Sequence, residues 1–276
     1  MLNQQQTNTM AEPTGRGEGV GLRSGTLIIN ADDWGRDRAT TDRIHTCVSH
    51  GAISSVSAMV FMEDSERASA IAVQSGIDAG LHLNFTTPFS GQGCPPEVAA
   101  RQAEIGRYLL RHRFSPVLFI PWLARSFEYV VAAQLNEFCR LYGAPPERID
   151  GHHHMHLCAN VLWGGLLPHG TMARRNFSFQ PGEKSPWNRL YRQMTDHKLA
   201  QHHRITDYFF SLEPVEPPSR LQRVFALACK HDVEVETHPI KDDEYRFLVG
   251  GDIFRYTGGT QIASRFAVSA NKEVGR

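Results

Sequence analysis

The chain contains 276 residues, which is enough for one large domain or two small ones. Its 29 Lys and Arg residues balance 29 Asp and Glu residues, so the strong basic bias of nucleic-acid and membrane-surface binders is absent. Five scattered cysteines without a C-x-x-C pair argue against a disulfide framework and favour a reducing compartment, for which we expect the cytoplasm. No apolar run reaches the roughly 18 residues that predict a membrane span.

The amino-terminal part of the chain predicts a leader followed by a strand. Residues 1–24 are polar, and we expect them to form a disordered leader before a single domain over 25–276. An apolar run at 26–30 predicts a buried strand, and Asp32 and Asp33 follow it directly. Carboxylates this close repel one another unless a cation lies between them. A metal ion bound by one would leave the other free to take a proton, whereas the alternative is a helix cap beside a turn residue.

Strand and helix patterns alternate along the rest of the chain, and no break indicates a second domain. The predicted helices lie near residues 40–50, 63–75, 96–113, 124–142, 160–167 and 218–230. The further predicted strands lie near residues 53–62, 79–86, 150–156, 171–177, 205–212 and 232–239. This alternation predicts an α/β fold with mostly parallel strands, and a barrel is the economical closure at this length.

A histidine-rich stretch, D-G-H-H-H-M-H, begins at Asp150. If it is extended, the strand period of two places His152, His154 and His156 on one face together with Asp150. Imidazoles packed this closely disfavour one another's protonation, so the neutral, metal-binding forms are favoured. The stretch therefore predicts a divalent-metal site at a strand end, and the alternative is a surface histidine run.

Other chemically capable side chains also fall at predicted strand ends. His82 ends one strand, Arg174 and Arg175 lie near the end of another, and His238 ends the last clear strand before Pro239. Taken singly, His82 is equally compatible with a hydrogen-bonded core residue, and the two arginines with a solvated loop. Because chemistry in parallel α/β folds gathers at the carboxyl ends of the strands, we expect these side chains to converge.

Such a constellation suits hydrolysis of an amide or ester. One Asp and two His residues form a facial set for a hydrolytic metal ion, which lowers the pKa of water and polarises a carbonyl. A second carboxylate would act as general base, and a further histidine would protonate the leaving group. The sequence lacks a phosphate-binding glycine loop, a G-x-S-x-G elbow and a dinucleotide fingerprint.

Four motifs occur in the order N-A-D-D-W-G from residue 30, G-L-H-L from residue 80, the histidine-rich stretch, and T-H-P from residue 237. In these motifs the chain resembles the YdjC-like carbohydrate deacetylase family, which includes chitooligosaccharide deacetylases and the hopanoid-biosynthesis-associated HpnK proteins. The resemblance implies a distorted (β/α) barrel that removes acetyl groups from N-acetylated sugars with one divalent metal ion, Mg²⁺ or Zn²⁺.

The same resemblance implies residue roles. It makes Asp33, His82 and His152 the metal ligands, Asp32 the catalytic base and His238 a candidate general acid. The resemblance further suggests substrate-side positions, namely His154, His156, Arg174 and Arg175. The chain departs from the family at Trp34, where Phe is usual, and over residues 178–203, which match none of its motifs.

We therefore expect a metal-dependent deacetylase with a small saccharide substrate, no nucleic-acid partner and a homodimer as one option for assembly. The alternatives are another metal-dependent hydrolase on a barrel scaffold, such as a phosphoesterase with two metal ions, and a non-catalytic sugar-binding relative.

Overall fold

The structure, a computed structural model, describes residues 25–179 and 185–266. Seven strands form one parallel sheet in the order β5-β4-β3-β2-β1-β7-β6. The strands are β1 (Thr26–Trp34), β2 (Ser55–Ala58), β3 (Ala79–Leu83), β4 (Arg148–Gly151), β5 (Met172–Ala173), β6 (Tyr208–Ser211) and β7 (Asp232–Thr237). The predicted α/β fold with mostly parallel strands, a distorted (β/α) barrel, is confirmed.

Helices connect the strands, as parallel pairing requires. Within the described ranges the helices are α1 (Arg38–Ser49), α2 (Ser65–Ser75), α3 (Pro96–Leu109), α4 (Ala124–Tyr142), α5 (Ala159–Trp163), α6 (Pro186–Ala200), α7 (Pro218–Leu227), α8 (Asp242–Val249) and α9 (Asp252–Tyr256). The amphipathic pattern predicted α4 to the residue, because Gly143 ends it in the left-handed conformation that glycine favours. Strand β5 is much shorter than the predicted 171–177.

The two faces of the sheet differ in chemistry. On β1, Leu27, Ile29 and Ala31 belong to the hydrophobic core, whereas Asn30 and Asp32 alternate with them and lie on the opposite face. The other strands repeat this division. Buried polar residues of the opposite face are Ser55, Ser57, His82, Arg148, Asp150, Glu234 and Glu236. The sheet therefore forms a half-barrel whose outer face packs against helices and whose inner face is polar and charged.

Short contacts link the two outer strands and narrow the open side of the half-barrel. Met172 of β5 forms a parallel bridge with Arg204, which precedes β6. After β5, the Ser178 amide donates to the Phe209 carbonyl at 2.8 Å, and the Phe209 amide donates to Ser178 Oγ at 3.1 Å. The carboxyl ends of the strands thus surround one shared space.

The predicted leader, residues 1–24, lies outside the described residues, as do residues 267–276. Among the helices of 25–179 and 185–266, none has the length and apolar character needed to cross a membrane.

Gly80 makes room for a buried cation on the inner face. A Cβ at Gly80 would lie 2.8 Å from the Arg148 guanidinium and 2.9 Å from its backbone oxygen. Arg148 donates to Asn30 Oδ1 at 3.2 Å and to the Val56 carbonyl at 2.7 Å. We expect Gly80→Ala to displace these contacts and to lower the free energy of unfolding by about 1–3 kcal/mol. Urea unfolding measures this change.

Gly93→Ala is the matched control, since no atom lies within 4 Å of its added Cβ. We expect the control to change stability by less than about 0.5 kcal/mol, as for most surface substitutions. Equal unfolding midpoints for the two variants would show that the space beside Arg148 is not restricted.

Candidate metal centre and active site

A bulge in β1 turns both adjacent aspartates toward the inner face. Neighbouring residues of a regular strand point to opposite faces. The register between β1 and β2 is irregular between Ala31 and Trp34, and Asp33 has φ 68°. An Asp tolerates this left-handed backbone better than most residues. As a result, Asp32 and Asp33 are both buried at the carboxyl end of β1, an interior strand of the sheet.

Asp33, His82 and His152 come together although they are far apart in the sequence. His152 Nδ1 lies 2.9 Å from Asp33 Oδ1, and His82 Nε2 lies 3.5 Å from the same oxygen. One ligand atom from each residue falls within 4.8 Å of the other two. Asp33 Oδ1 and His82 Nε2 are buried, and neither has a hydrogen-bond partner among residues 25–179 and 185–266. This arrangement fits a divalent cation, because an ion would supply the missing partner and N and O are suitable donors.

His82 is oriented by its neighbour on the next strand. His82 and Asp150 are directly paired in register between β3 and β4, and Asp150 Oδ1 lies 2.7 Å from His82 Nδ1. This contact directs Nε2 toward Asp33, as a carboxylate behind a metal-binding histidine does. Burial alone would lower the pKa of His82, but Asp32 and Asp150 raise the pKa to about 10. The same negative charges make the space attractive to a cation.

Arg174 is the central cation of the inner face. Its side chain is buried, and five nitrogen-to-oxygen contacts of 2.7–3.3 Å match the five N–H donors of a guanidinium. Its partners are Asp32, which receives two of them, Asp150, Glu234 and Glu236. The predicted substrate contact of Arg174 stays a prediction, and its observed partners are protein carboxylates.

The carboxylates of the inner face differ in their pKa values. Burial would raise the pKa of Asp32, but the Arg174 and His82 charges lower it below its ordinary value. Asp33 behaves likewise, with burial opposed by its contacts with His152 and His82. Burial raises the pKa of Glu236 well above its ordinary value, and the negative charge of Asp32 adds to this effect. The inner face therefore presents Asp32 and Asp33 as ionised carboxylates.

Glu234 and Glu236 are site residues that sequence reasoning missed. Their strand was predicted from its alternation, D-V-E-V-E-T, but the glutamates were not assigned to the site. All six residues of β7 are buried. The signal in the sequence was the two glutamates themselves. A strand that is covered on both faces must provide an oppositely charged or hydrogen-bonding partner for any charged side chain it carries.

The prediction of one extended strand through His156 is wrong. Strand β4 ends at Gly151, and a tight turn over His152–Leu157 follows, in which His153 and His154 have φ 53° and 57°. With these left-handed residues the rings no longer alternate, because the His153 ring lies 4.1 Å from the His152 ring, whereas the His154 ring packs against Phe177. His152 alone of the run reaches Asp33, whereas His153 Nδ1 lies 3.0 Å from Thr86 Oγ1.

The remaining histidines of the run occupy separate environments. The His154 ring packs edge-on against Phe177 at 4.7 Å, and its Nε2 lies 3.7 Å from Glu236 Oε2. His156 is fully buried, and its Nε2 lies 2.8 Å from the Arg174 carbonyl oxygen. Their substrate-side roles stay predictions, but the His156 contact orients the backbone of Arg174.

Two predicted residues lie at the margin of this cluster. Arg175 donates from Nη2 to Asp196 Oδ2 at 2.9 Å and from Nη1 to the Thr206 carbonyl at 3.2 Å. His238 directly follows β7 and is partly exposed. Its backbone amide donates to Glu244 Oε2 at 2.7 Å, and its Nδ1 has no hydrogen-bond partner within the described ranges. The roles of both residues stay predictions.

Comparison with known proteins identifies the family. A family model described as "YdjC-like protein" matches residues 26–259, which is most of the chain. The chain belongs to the YdjC-like family. The resemblance seen in the four sequence motifs is thereby confirmed.

This YdjC-like chain also matches individual proteins. It is 31% identical over 132 residues to a chitooligosaccharide deacetylase of Serratia marcescens, covering 48% of this chain and 50% of that protein. It is 30% identical over 136 residues to a chitooligosaccharide deacetylase of Proteus mirabilis, covering 49% and 52% respectively. The chain therefore spans about half the length of the curated relatives it matches.

One solved structure resembles the whole domain. It is a protein of Enterococcus faecalis provisionally described as a cellobiose-phosphate cleavage protein, with a TM-score of 0.64 and 18% identity. The match covers 87% of this chain and 97% of that chain. At this identity the likeness shows the fold alone.

Burial makes His156 a source of acid sensitivity in this YdjC-like protein. Burial lowers the pKa of His156 to about 4, although its bond to the Arg174 carbonyl acts in the opposite direction. The unfolded chain takes up a proton near pH 6.5, so the stability contributed by the neutral ring is complete above that pH and is lost as pH falls toward 4. Between pH 7 and pH 5 the loss is about 2 kcal/mol.

We expect His156→Gln to reduce the pH 7-to-5 loss of unfolding free energy by about that amount, since glutamine does not titrate. Urea unfolding at the two pH values measures it. The exposed His50→Gln variant is the control and should keep the wild-type dependence. An unchanged dependence in His156→Gln would mean that the ring is already protonated in the folded protein.

Proposed function

We propose that this protein is a metal-dependent carbohydrate deacetylase. The observation that carries the proposal is the buried set of Asp33, His82 and His152 with the ionised carboxylate of Asp32 beside it. Three side chains around one cation leave room for a substrate and for water. A further carboxylate supplies the base that hydrolysis needs.

Asp33, His82 and His152 would hold the cation, which is Mg²⁺ or Zn²⁺. When bound, the cation would supply Lewis acidity, which lowers the pKa of water and polarises an amide carbonyl. Arg36 donates to Asp33 Oδ2 at 3.1 Å and so leaves Oδ1 to face the two histidines. Two imidazole ligands suit Zn²⁺ slightly better than Mg²⁺, because Mg²⁺ prefers oxygen.

Asp32 is assigned as the general base. Arg174 and the Asn30 side-chain amide fix its carboxylate, with Asn30 Nδ2 2.9 Å from Asp32 Oδ1. In the reaction, Asp32 takes a proton from water as the water oxygen bonds to the acetyl carbon. The carbon–nitrogen bond then breaks, and His238 gives a proton to the leaving amine. The products are acetate and a free amino sugar.

Two observations support a saccharide substrate, namely the relatives that the chain matches and the residues at the rim of the site. The matched relatives from Serratia marcescens and Proteus mirabilis are chitooligosaccharide deacetylases. At the rim, His154 contacts the partly exposed ring of Phe177, which stacks on the buried ring of Phe209 at 4.6 Å. An aromatic ring such as Phe177 provides a flat apolar surface, which suits the apolar face of a sugar ring.

A phosphoesterase with two metal ions is less well supported. A second group of ligand-capable side chains within the described residues consists of Asp32, His82 and Asp150. Arg174 lies 2.7–2.8 Å from both carboxylates of that group. A guanidinium in that position would repel a second cation, so the geometry favours one metal ion. A protein that only binds sugar would not need the ionised carboxylate of Asp32 beside the metal ligands.

Asp32→Asn tests the assignment of the base. We expect acetate release from N-acetylated chitooligosaccharides to fall about 100- to 10,000-fold, because Asn cannot take a proton. The metal content, measured by elemental analysis, should stay near one ion per chain. Asp252→Asn, at a partly exposed position in α9, is the control and should retain wild-type activity.

Loss of a metal ligand should lower the metal content, which Asp32→Asn leaves unchanged. We expect His82→Ala and His152→Ala to lose both metal and activity, whereas the exposed His50→Ala variant should lose neither. Full activity in Asp32→Asn, or phosphate release with two ions per chain, would refute the proposed mechanism.

A further inference from the structure

An exposed apolar segment lies between α3 and α4. Its large side chains include Trp122, which is 74% exposed, Leu110, which is 60% exposed, and Leu118, which is 55% exposed. Phe114 and Phe119 add two further exposed rings. Single exposed apolar side chains are common, but with Val117 there are six in thirteen consecutive positions, which form a surface of the kind that marks an interaction site. We call residues 110–122 the apolar loop.

Buried contacts on the inner side of the apolar loop keep its exposed side chains directed outward. Ile120, within it, and Leu123, which directly follows it, point inward and are buried. Asn160 of α5 fixes the loop with two reciprocal bonds to Ile120, since its Oδ1 accepts from the amide and its Nδ2 donates to the carbonyl, both at 2.9 Å. Trp163, on the same short helix, is 65% exposed. The loop is thus anchored, and its exposed rings are not the result of missing contacts beneath them.

Positive charge predominates along the apolar loop and its flanks, and the nearest acidic residues in the sequence are Glu104 and Glu128, which border the stretch. Residues 105–127 contain no Asp or Glu, although the whole chain has as many acidic as basic residues. Four exposed arginines fall in this stretch, namely Arg107, Arg111, Arg113 and Arg125. The zero net charge of the chain therefore conceals a local excess of positive charge beside exposed Trp, Phe and Leu.

We propose that the apolar loop and its arginines form a docking surface for an anionic lipid bilayer. Aromatic and aliphatic side chains would enter the boundary between headgroups and acyl chains, and the arginines would bind the anionic headgroups. A second copy of this chain fits less well, because a symmetric pairing would bring the arginines of two loops together with no acidic residue of the stretch between them.

A groove lies beside this surface. It has a volume of about 530 Å³, and its lining includes Leu110 and Arg111 as well as Phe85 and Thr86. Thr86 Oγ1 contacts His153 in the turn that carries His152. Docking through the apolar loop would therefore hold the rim of the site beside the bilayer. The proposal rests on this surface alone and is independent of the proposed reaction.

Vesicle co-sedimentation of the full chain tests the proposal. We expect the protein to sediment with phosphatidylglycerol vesicles and not with phosphatidylcholine vesicles, and binding should weaken with added salt. The double variant Phe119→Ser, Trp122→Ser should reduce the partition coefficient at least tenfold. Arg111→Glu with Arg113→Glu should do the same, because each basic residue near an anionic membrane contributes about 1 kcal/mol, or about fivefold.

Matched controls lie on α7 and α9, on other elements of the fold. Phe254→Ser changes a ring that is 47% exposed, close to the 43% of Phe119, and Arg223→Glu changes an exposed arginine. Both controls should bind as the wild type does. Absence of binding to phosphatidylglycerol vesicles would overturn the proposal, as would equal losses in the controls. A dimer in solution that Trp122→Ser dissociates would instead assign the surface to a second copy.

Discussion

The structure depends on one buried guanidinium and the carboxylates that surround it. Arg174 follows the shortest strand of the sheet, yet it contacts side chains from β1, β4 and β7. Without this cation the inner face would hold several negative charges in a space from which water is largely excluded, and such uncompensated burial strongly destabilises a fold. Conversely, the carboxylates accept the hydrogen bonds that the buried guanidinium would otherwise donate to water. Arg174 thus connects the folding of the half-barrel with the charge of Asp32, the residue assigned as base.

The sequence was sufficient to predict that the side chains of the candidate metal site converge. Asp33, His82 and His152 each lie at or just beyond the end of a predicted strand, and parallel strands bring their carboxyl ends to one edge. The prediction worked because it needed only the element type and chain direction. It did not require the conformation of any turn.

The unpredicted features all depend on backbone conformation or on burial. The left-handed residues His153 and His154 end the strand period, and no local residue pattern in a histidine run indicates that break. The bulge at Asp33 is likewise invisible in a pattern of alternation. Glu234 and Glu236 alternate with apolar residues in the sequence, but whether their face of the strand is covered is decided by distant segments. The net charge of the chain is likewise an average, which does not show the basic stretch at 105–127.

The pairing of β1 has a consequence for the order in which the protein assembles. Among the described strands β1 comes first in the chain and β7 comes last, and their register pairs include Thr26 with Asp232 and Ala31 with Thr237. During synthesis on the ribosome, one edge of β1 must wait unpaired while most of the chain emerges. Pairings of such long sequence separation form slowly, and an exposed strand edge is prone to aggregation. The nascent chain would therefore benefit most from chaperone protection in the interval before β7 arrives.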